Sequence, residues 1–174
     1  MTAIAKPSIT EIRQWLSEVP DPEIPVISLT DLGIIRDVTW DDETLVVTVT
    51  PTYSGCPATS IINLDIEAAL RQRGIDRLRL ERSLSPPWTT DWISPEGRDK
   101  LRNYGIAPPI DGTAADGRMR ERARQLADGS NLAVACPRCG SHLTEKVSQF
   151  GSTPCKASYR CRECLEPFDY FKCI

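Results

Sequence analysis

Histidine is nearly absent from this chain: His142 is the only one in 174 residues. One histidine excludes multi-histidine catalytic zinc sites and paired E-x-x-H di-iron sites built from this chain alone. Long apolar runs are missing too, and a helix needs about 20 apolar residues to cross a bilayer core. No G-x-S-x-G elbow, phosphate-binding P-loop or G-x-G-x-x-G turn occurs, so the common serine-hydrolase, nucleotide and dinucleotide signatures are absent. Aromatic residues make up 6% of the chain, and the net charge of −3 lacks the basic excess of a nucleic-acid binder. Met1–Thr10 holds one lysine and no apolar core run, so no signal peptide is expected there.

Cysteine, by contrast, is plentiful. There are seven, and six of them fall between Cys136 and Cys173, leaving only Cys56 in the first 131 residues. Without a secretory signature, this count favours thiolate metal binding or thiol chemistry over a disulfide scaffold, in a cytoplasmic protein whose thiols stay reduced. Charge shifts along the chain as well. Residues 1–104 carry 11 basic and 16 acidic side chains, residues 105–131 four of each, and residues 132–174 six basic and four acidic. The expected organisation is an α/β domain over 8–104, a linker or peripheral segment over 105–131, and a cysteine-rich β module over 132–174.

The first domain reads as mixed α/β (α+β), with a three-stranded sheet and helices. Ser8 followed three residues later by Glu11 is a capping-box pattern, and Ile9, Ile12 and Leu16 follow at helical spacing. Pro20, Pro22 and Pro25 end that helix and force an extended segment. Ile34–Trp40 and Thr44–Thr50 flank the polar turn Asp41-Asp42-Glu43 and predict a hairpin. Pro57 fits a first helical position, which predicts a helix from about Cys56 to Arg73, ended by Gly74. Ile75–Leu84 predicts a third strand, and Ser94-Pro95-Glu96 opens a short helix ending near Tyr104. Arg118–Leu126 forms a short charged stretch of helical composition. Trp88 and Trp92 read as core over the third strand in preference to an exposed platform beside the Pro86-Pro87 break.

In the tail, Cys136-Pro-Arg-Cys139-Gly140 and Cys161-Arg-Glu-Cys164 are two C-x-x-C pairs with 21 residues between them. Two intervening residues let a tight turn aim both sulfurs at one ion. Two such knuckles supply four thiolates, which suits structural zinc in a ribbon with no open position. A module of 43 residues builds only a small core, so the metal would supply folding free energy. An iron–sulfur cluster is the alternative occupant. Cys155 and Cys173 remain alternative ligands, buried thiols, or a pair that forms a disulfide on oxidation. His142 would replace a cysteine in a Cys₃His site or sit in an exposed loop. Thr144–Phe150 and Ser158–Tyr159 predict ribbon strands. Phe168, Tyr170 and Phe171 read either as the ribbon's core or as a docking surface.

Cys56 stands apart. At a helix N-terminus, dipole and free N–H groups favour a thiolate. Asp21 and Glu23 lie in a proline-stiffened loop able to approach it. The segments Asp21-Pro22-Glu23-Ile24-Pro25, Asp31-Leu32-Gly33-Ile34 and Cys56-Pro57 resemble the small α/β domain shared by SufT-type proteins and the cytosolic iron–sulfur assembly factors. The stretches Thr50–Thr59, Cys136–Gly140 and Cys161–Cys173 extend the resemblance to the PaaD (PaaJ) family, accessory to phenylacetyl-CoA epoxidase in aerobic phenylacetate degradation. The resemblance implies a maturation role with no turnover of its own. It implies partners among the oxygenase and reductase components; charge and apolar patterning predict neither nucleic acid nor membrane, and self-association stays open. It also implies a transient metal site at Cys56, flanked by Asp21 and Glu23. A docking component that handles no metal is the other reading.

Overall fold

A computed structural model describes residues 6–109 and 134–172. The chain divides into two compact units, 1–88 and 89–174. The units follow chain contacts, and they group the segment after Trp88 with the ribbon sheet.

In the first unit, α1 (Ile9–Leu16) starts from the expected capping box. Ser8 Oγ accepts the Glu11 N–H at 3.2 Å, and the Ser8 N–H donates to Glu11 Oε2 at 2.8 Å. The helix buries Ile12 and Leu16. β1 (Ile35–Asp41) and β2 (Thr44–Val49) form the antiparallel hairpin, with Asp42 at φ 49° in its turn. α2 (Thr59–Arg71) crosses to β3 (Leu78–Arg82), which pairs in parallel with β2, so the sheet is mixed in the order β1-β2-β3. A helical crossover is what a parallel neighbour requires. Leu45 and Val47 of β2 and Ile62, Ile66 and Leu70 of α2 are at most 2% exposed. Each such aliphatic side chain contributes about 1.5–3 kcal/mol by burial.

The proline segment is closed into a tethered loop. Pro20 and Ser28 form an isolated bridge, and the Asp21 N–H donates to the Ile27 carbonyl at 2.9 Å. Ile24, Ile27, Leu29 and Leu32 anchor this loop in the core. Trp88 is core as expected: it is 4% exposed, and its indole N–H donates to the Leu32 carbonyl at 2.8 Å.

The second unit opens with a 3-10 turn (Thr90–Trp92) and α3 (Pro95–Tyr104). Ser94 caps α3 by accepting the Gly97 N–H at 2.9 Å, and Gly105 ends it at φ 94°. β4 (Ile106–Ala107), β5 (Thr144–Ser148), β6 (Lys156–Cys161) and β7 (Pro167–Phe171) make a four-stranded sheet in the order β4-β7-β6-β5. Ile106 and Ala107, expected in a linker, instead pair with Asp169 and Tyr170. The signal was too short to read: two apolar residues gain strand geometry only from their partner. The expected charged stretch Arg118–Leu126 lies outside the described residues. Phe168 and Phe171 pack inward, with Tyr159 stacked on Phe168 at 5.8 Å between ring centroids and edge-on to Tyr170 at 5.6 Å. Among the described residues no helix is long and apolar enough to cross a membrane.

Candidate metal centre

Two tight turns carry the C-x-x-C pairs, and they are built alike. In the first, the Cys136 N–H donates to the Ser141 carbonyl at 2.9 Å; in the second, the Cys161 N–H donates to the Glu166 carbonyl at 3.0 Å. Both bonds span five residues. In each turn the N–H two residues past the second cysteine bonds that cysteine's sulfur: Ser141 to Cys139, and Glu166 to Cys164. Reaching back in this way requires a left-handed residue in between. That residue is Gly140 at φ 76° in one turn and Leu165 at φ 65° in the other.

The sheet then brings the turns together. β5 leaves the first turn, β6 enters the second, and Thr144 pairs with Cys161. The Arg162 N–H donates to the Leu143 carbonyl at 2.7 Å, tying the turns at their mouths. The four sulfurs consequently gather within 4.8 Å of one another. Cys136 Sγ lies 3.8 Å from Cys164 Sγ, and Cys139 Sγ lies 3.6 Å from Cys161 Sγ. A tetrahedron with metal–sulfur bonds of about 2.3 Å has edges of about 3.8 Å, so the donor set fits a single tetrahedral ion. Cys136 and Cys161 are buried and Cys139 and Cys164 exposed. The ion would thus sit at the surface end of the small core formed by Ala107, Val134, Cys136, Cys161 and Phe168.

The thiols of the quartet shift one another. The Cys164 N–H, with that of Glu163 and the Cys139 and Cys164 thiols, outweighs desolvation and draws Cys161 down to about 7. At Cys139 the Ser141 N–H pulls the other way, but desolvation and the Cys161, Cys164 and Cys136 thiols push it up to about 12. Cys164 is also raised: against the Glu166 N–H stand desolvation and the Cys161 and Cys136 sulfurs. Hydrogen bonding among the sulfurs thus draws one thiol down while it helps push two of its neighbours up. A bound dication removes that conflict.

The other tail candidates lie elsewhere. His142 is exposed and outside the sulfur cluster. Cys155 is buried with its sulfur 3.0 Å from Thr153 Oγ1, also outside the cluster. Cys173 lies outside the described residues.

In the first unit Cys56 is partly buried in a turn that precedes α2. The helix begins at Thr59, two residues later than Pro57 suggested. The Cys56 carbonyl, accepting the Thr59 hydroxyl at 2.8 Å and its N–H at 3.3 Å, leads into it. The expected lowering of the Cys56 thiol is reversed. Burial raises its pKa most; the Ala58 N–H and the Thr59 hydroxyl counter, and Glu23 and Asp21 raise it further. The carboxylates of the proline loop therefore act on this sulfur. They differ in commitment: Asp21 is 7% exposed, and its Oδ1 accepts the N–H groups of Glu23 at 2.9 Å and Ile24 at 2.8 Å. Beside them Ser28 Oγ accepts the Asp31 N–H at 3.0 Å, and Asp31 Oδ2 accepts the Ser28 N–H at 3.3 Å. Sequence reasoning passed over Ser28, because its role depends on a reciprocal bond three residues away.

Comparison with known proteins agrees with both halves. The family model described as PaaD zinc beta ribbon domain matches residues 120–172, and the model described as iron-sulfur cluster assembly protein matches residues 9–75. A protein of Escherichia coli (strain K12), named as a putative subunit of 1,2-phenylacetyl-CoA epoxidase, is 47% identical over 174 residues, covering 100% of this chain and 98% of its own. The "Fe-S protein maturation auxiliary factor" of Porphyromonas gingivalis is 34% identical over 93 residues, covering 52% of this chain and 88% of its own. The "Fe-S protein maturation auxiliary factor YitW" of Bacillus subtilis is 35% identical over 81 residues, covering 45% of this chain and 78% of its own.

Proposed function

Because the chain belongs to the PaaD family, which it shares with the putative epoxidase subunit of Escherichia coli, we propose that it is an accessory component of a 1,2-phenylacetyl-CoA epoxidase. Its task in this reading is to assist assembly or repair of the iron or iron–sulfur centres of the oxygenase or reductase component. The observation that carries the reading is the end-to-end match to that relative, in which a maturation-factor-like half and a cysteine ribbon occupy one chain.

The ribbon's occupant in this reading is zinc held by Cys136, Cys139, Cys161 and Cys164. Crowding of all four sulfurs around one point supports a single ion. An iron–sulfur cluster spreads its thiolates over more than one iron. Four protein thiolates leave no open coordination position, so the ion supports the fold and performs no chemistry.

Iron handling falls to Cys56, with Glu23 beside it and Asp21 shaping the loop. In this role iron is cargo. The thiol gives up its proton as the Fe–S bond forms and regains one as the iron leaves. A raised thiol pKa supports a transient hold, because the proton competes with the metal near neutral pH. Asp21 in this reading anchors the backbone N–H of Glu23 and so holds that residue in place.

The test is Cys56→Ala. The variant is expected to keep its fold and its ribbon metal, while the partner epoxidase made with it carries less iron. Unchanged partner iron and activity would sink the transfer role. They would favour the second reading, a docking component that handles no metal. The exposed Leu143, Val147, Phe150 and Leu165 of the ribbon, each 60–65% exposed, are the observation on that side.

A further inference from the structure

The two knuckles share one backbone design but place different residues at its left-handed position. The left-handed position is glycine in the first, Gly140 at φ 76°, and leucine in the second, Leu165 at φ 65°. An L-residue there brings its Cβ against the following carbonyl, a penalty glycine avoids. Leucine offers little packing in return, since Leu165 is 60% exposed. The conformation is nonetheless required. Only a left-handed residue 165 lets the Glu166 N–H reach the Cys164 sulfur while the Cys161 N–H reaches the Glu166 carbonyl.

We propose that Leu165 is a strained affinity-setting residue of the metal centre, which makes the second knuckle the weaker half and holds the ion less tightly than the same fold with glycine there. The inference rests on the reading of the four cysteines as a single-ion site. It adds what no ligand count shows, that the two halves of the site are energetically unequal.

Magnitudes decide whether the effect is measurable. Left-handed strain in an L-residue corresponds to roughly 5- to 30-fold in an equilibrium constant. Glycine's extra freedom in the open chain takes back roughly two- to fivefold. Leu165→Gly is therefore expected to tighten the metal by about fivefold. Leu165→Ala keeps a Cβ and so keeps the strain; its affinity stays within about twofold of the parent. The first knuckle supplies the mirror experiment. A Cβ added at Gly140 would meet nothing within 4 Å, so Gly140→Ala tests backbone conformation alone and is expected to loosen the ion by about fivefold.

The experiment is chelator competition for Zn(II) on the full chain, with Co(II) absorption reporting tetrahedral thiolate coordination and thermal midpoints of the loaded proteins alongside. Tighter binding and a higher midpoint in Leu165→Gly, with Leu165→Ala unchanged, support the proposal. Equal effects of glycine and alanine would mean that the side chain, not the backbone, sets the affinity, and would overturn it. So would unchanged or weaker binding in Leu165→Gly. A parent chain that binds neither ion through four thiolates would overturn the single-ion reading and the proposal with it, a result distinct from a parent that binds but does not respond to Leu165.

Discussion

Cys56 is a thiol whose surroundings resist its ionisation. Burial is the largest influence, and Glu23 and Asp21 add to it, against the Ala58 N–H and the Thr59 hydroxyl. Its pKa in the fold therefore lies above the ordinary value of 9.0. The sign follows: the neutral thiol contributes stability that is fully present below the ordinary value and is lost as pH rises through the raised one. Iodoacetamide labelling of Cys56, read by peptide mass spectrometry on metal-loaded protein, is expected to reach its midpoint at higher pH than a free peptide thiol. Glu23→Gln should bring that midpoint down, because it removes a charge that disfavours the thiolate. A midpoint unmoved by Glu23→Gln would remove Glu23 from the neighbourhood of the sulfur. Cys56 was readable as the chemically distinct cysteine. The direction of its pKa was not, because helix position is local and burial is not.

Elements form where their signals are local. The Ser8–Glu11 capping box and the Ser94–Pro95 start of α3 were legible, since each acts within four residues. Ser8→Ala is expected to destabilise the first unit by about 1 kcal/mol. It should lower the first unit's thermal midpoint by a few degrees, whereas the same change at the exposed Ser60 should do much less. Leu45, fully buried in the central strand, has no such local role, and Leu45→Ala is expected to cost about 2–5 kcal/mol through the cavity it leaves. Denaturant midpoints separate the two effects. Less legible were elements that exist only through partners. β4 is two residues long and is a strand because Asp169 and Tyr170 receive it. The parallel pairing of β3 with β2 likewise depends on where α2 returns the chain.

At the scale of the whole chain, two modules of different construction meet in one polypeptide. The first is held by aliphatic burial between helices and sheet, the second by a small aromatic core and four sulfurs. Their responses to metal removal should differ accordingly. Chelation of the loaded full chain is expected to abolish amide protection in β6 and β7 while β2 and α2 stay protected, as hydrogen exchange would show. Loss of protection in both units together would contradict that division. The two C-x-x-C pairs were marked as the candidate ligand set by the sequence itself, because that spacing is a local constraint. So were the capped helices, the hairpin and the isolation of Cys56. Tertiary structure alone decided that the four sulfurs close to tetrahedral distances, that Cys155 and His142 stay outside them, and that Leu165 takes a conformation suited to glycine. The physical reason is the same in each case. Spacing sets which groups share a turn, but which turns face each other, and what strain they accept in doing so, is fixed by strand pairing across the sheet.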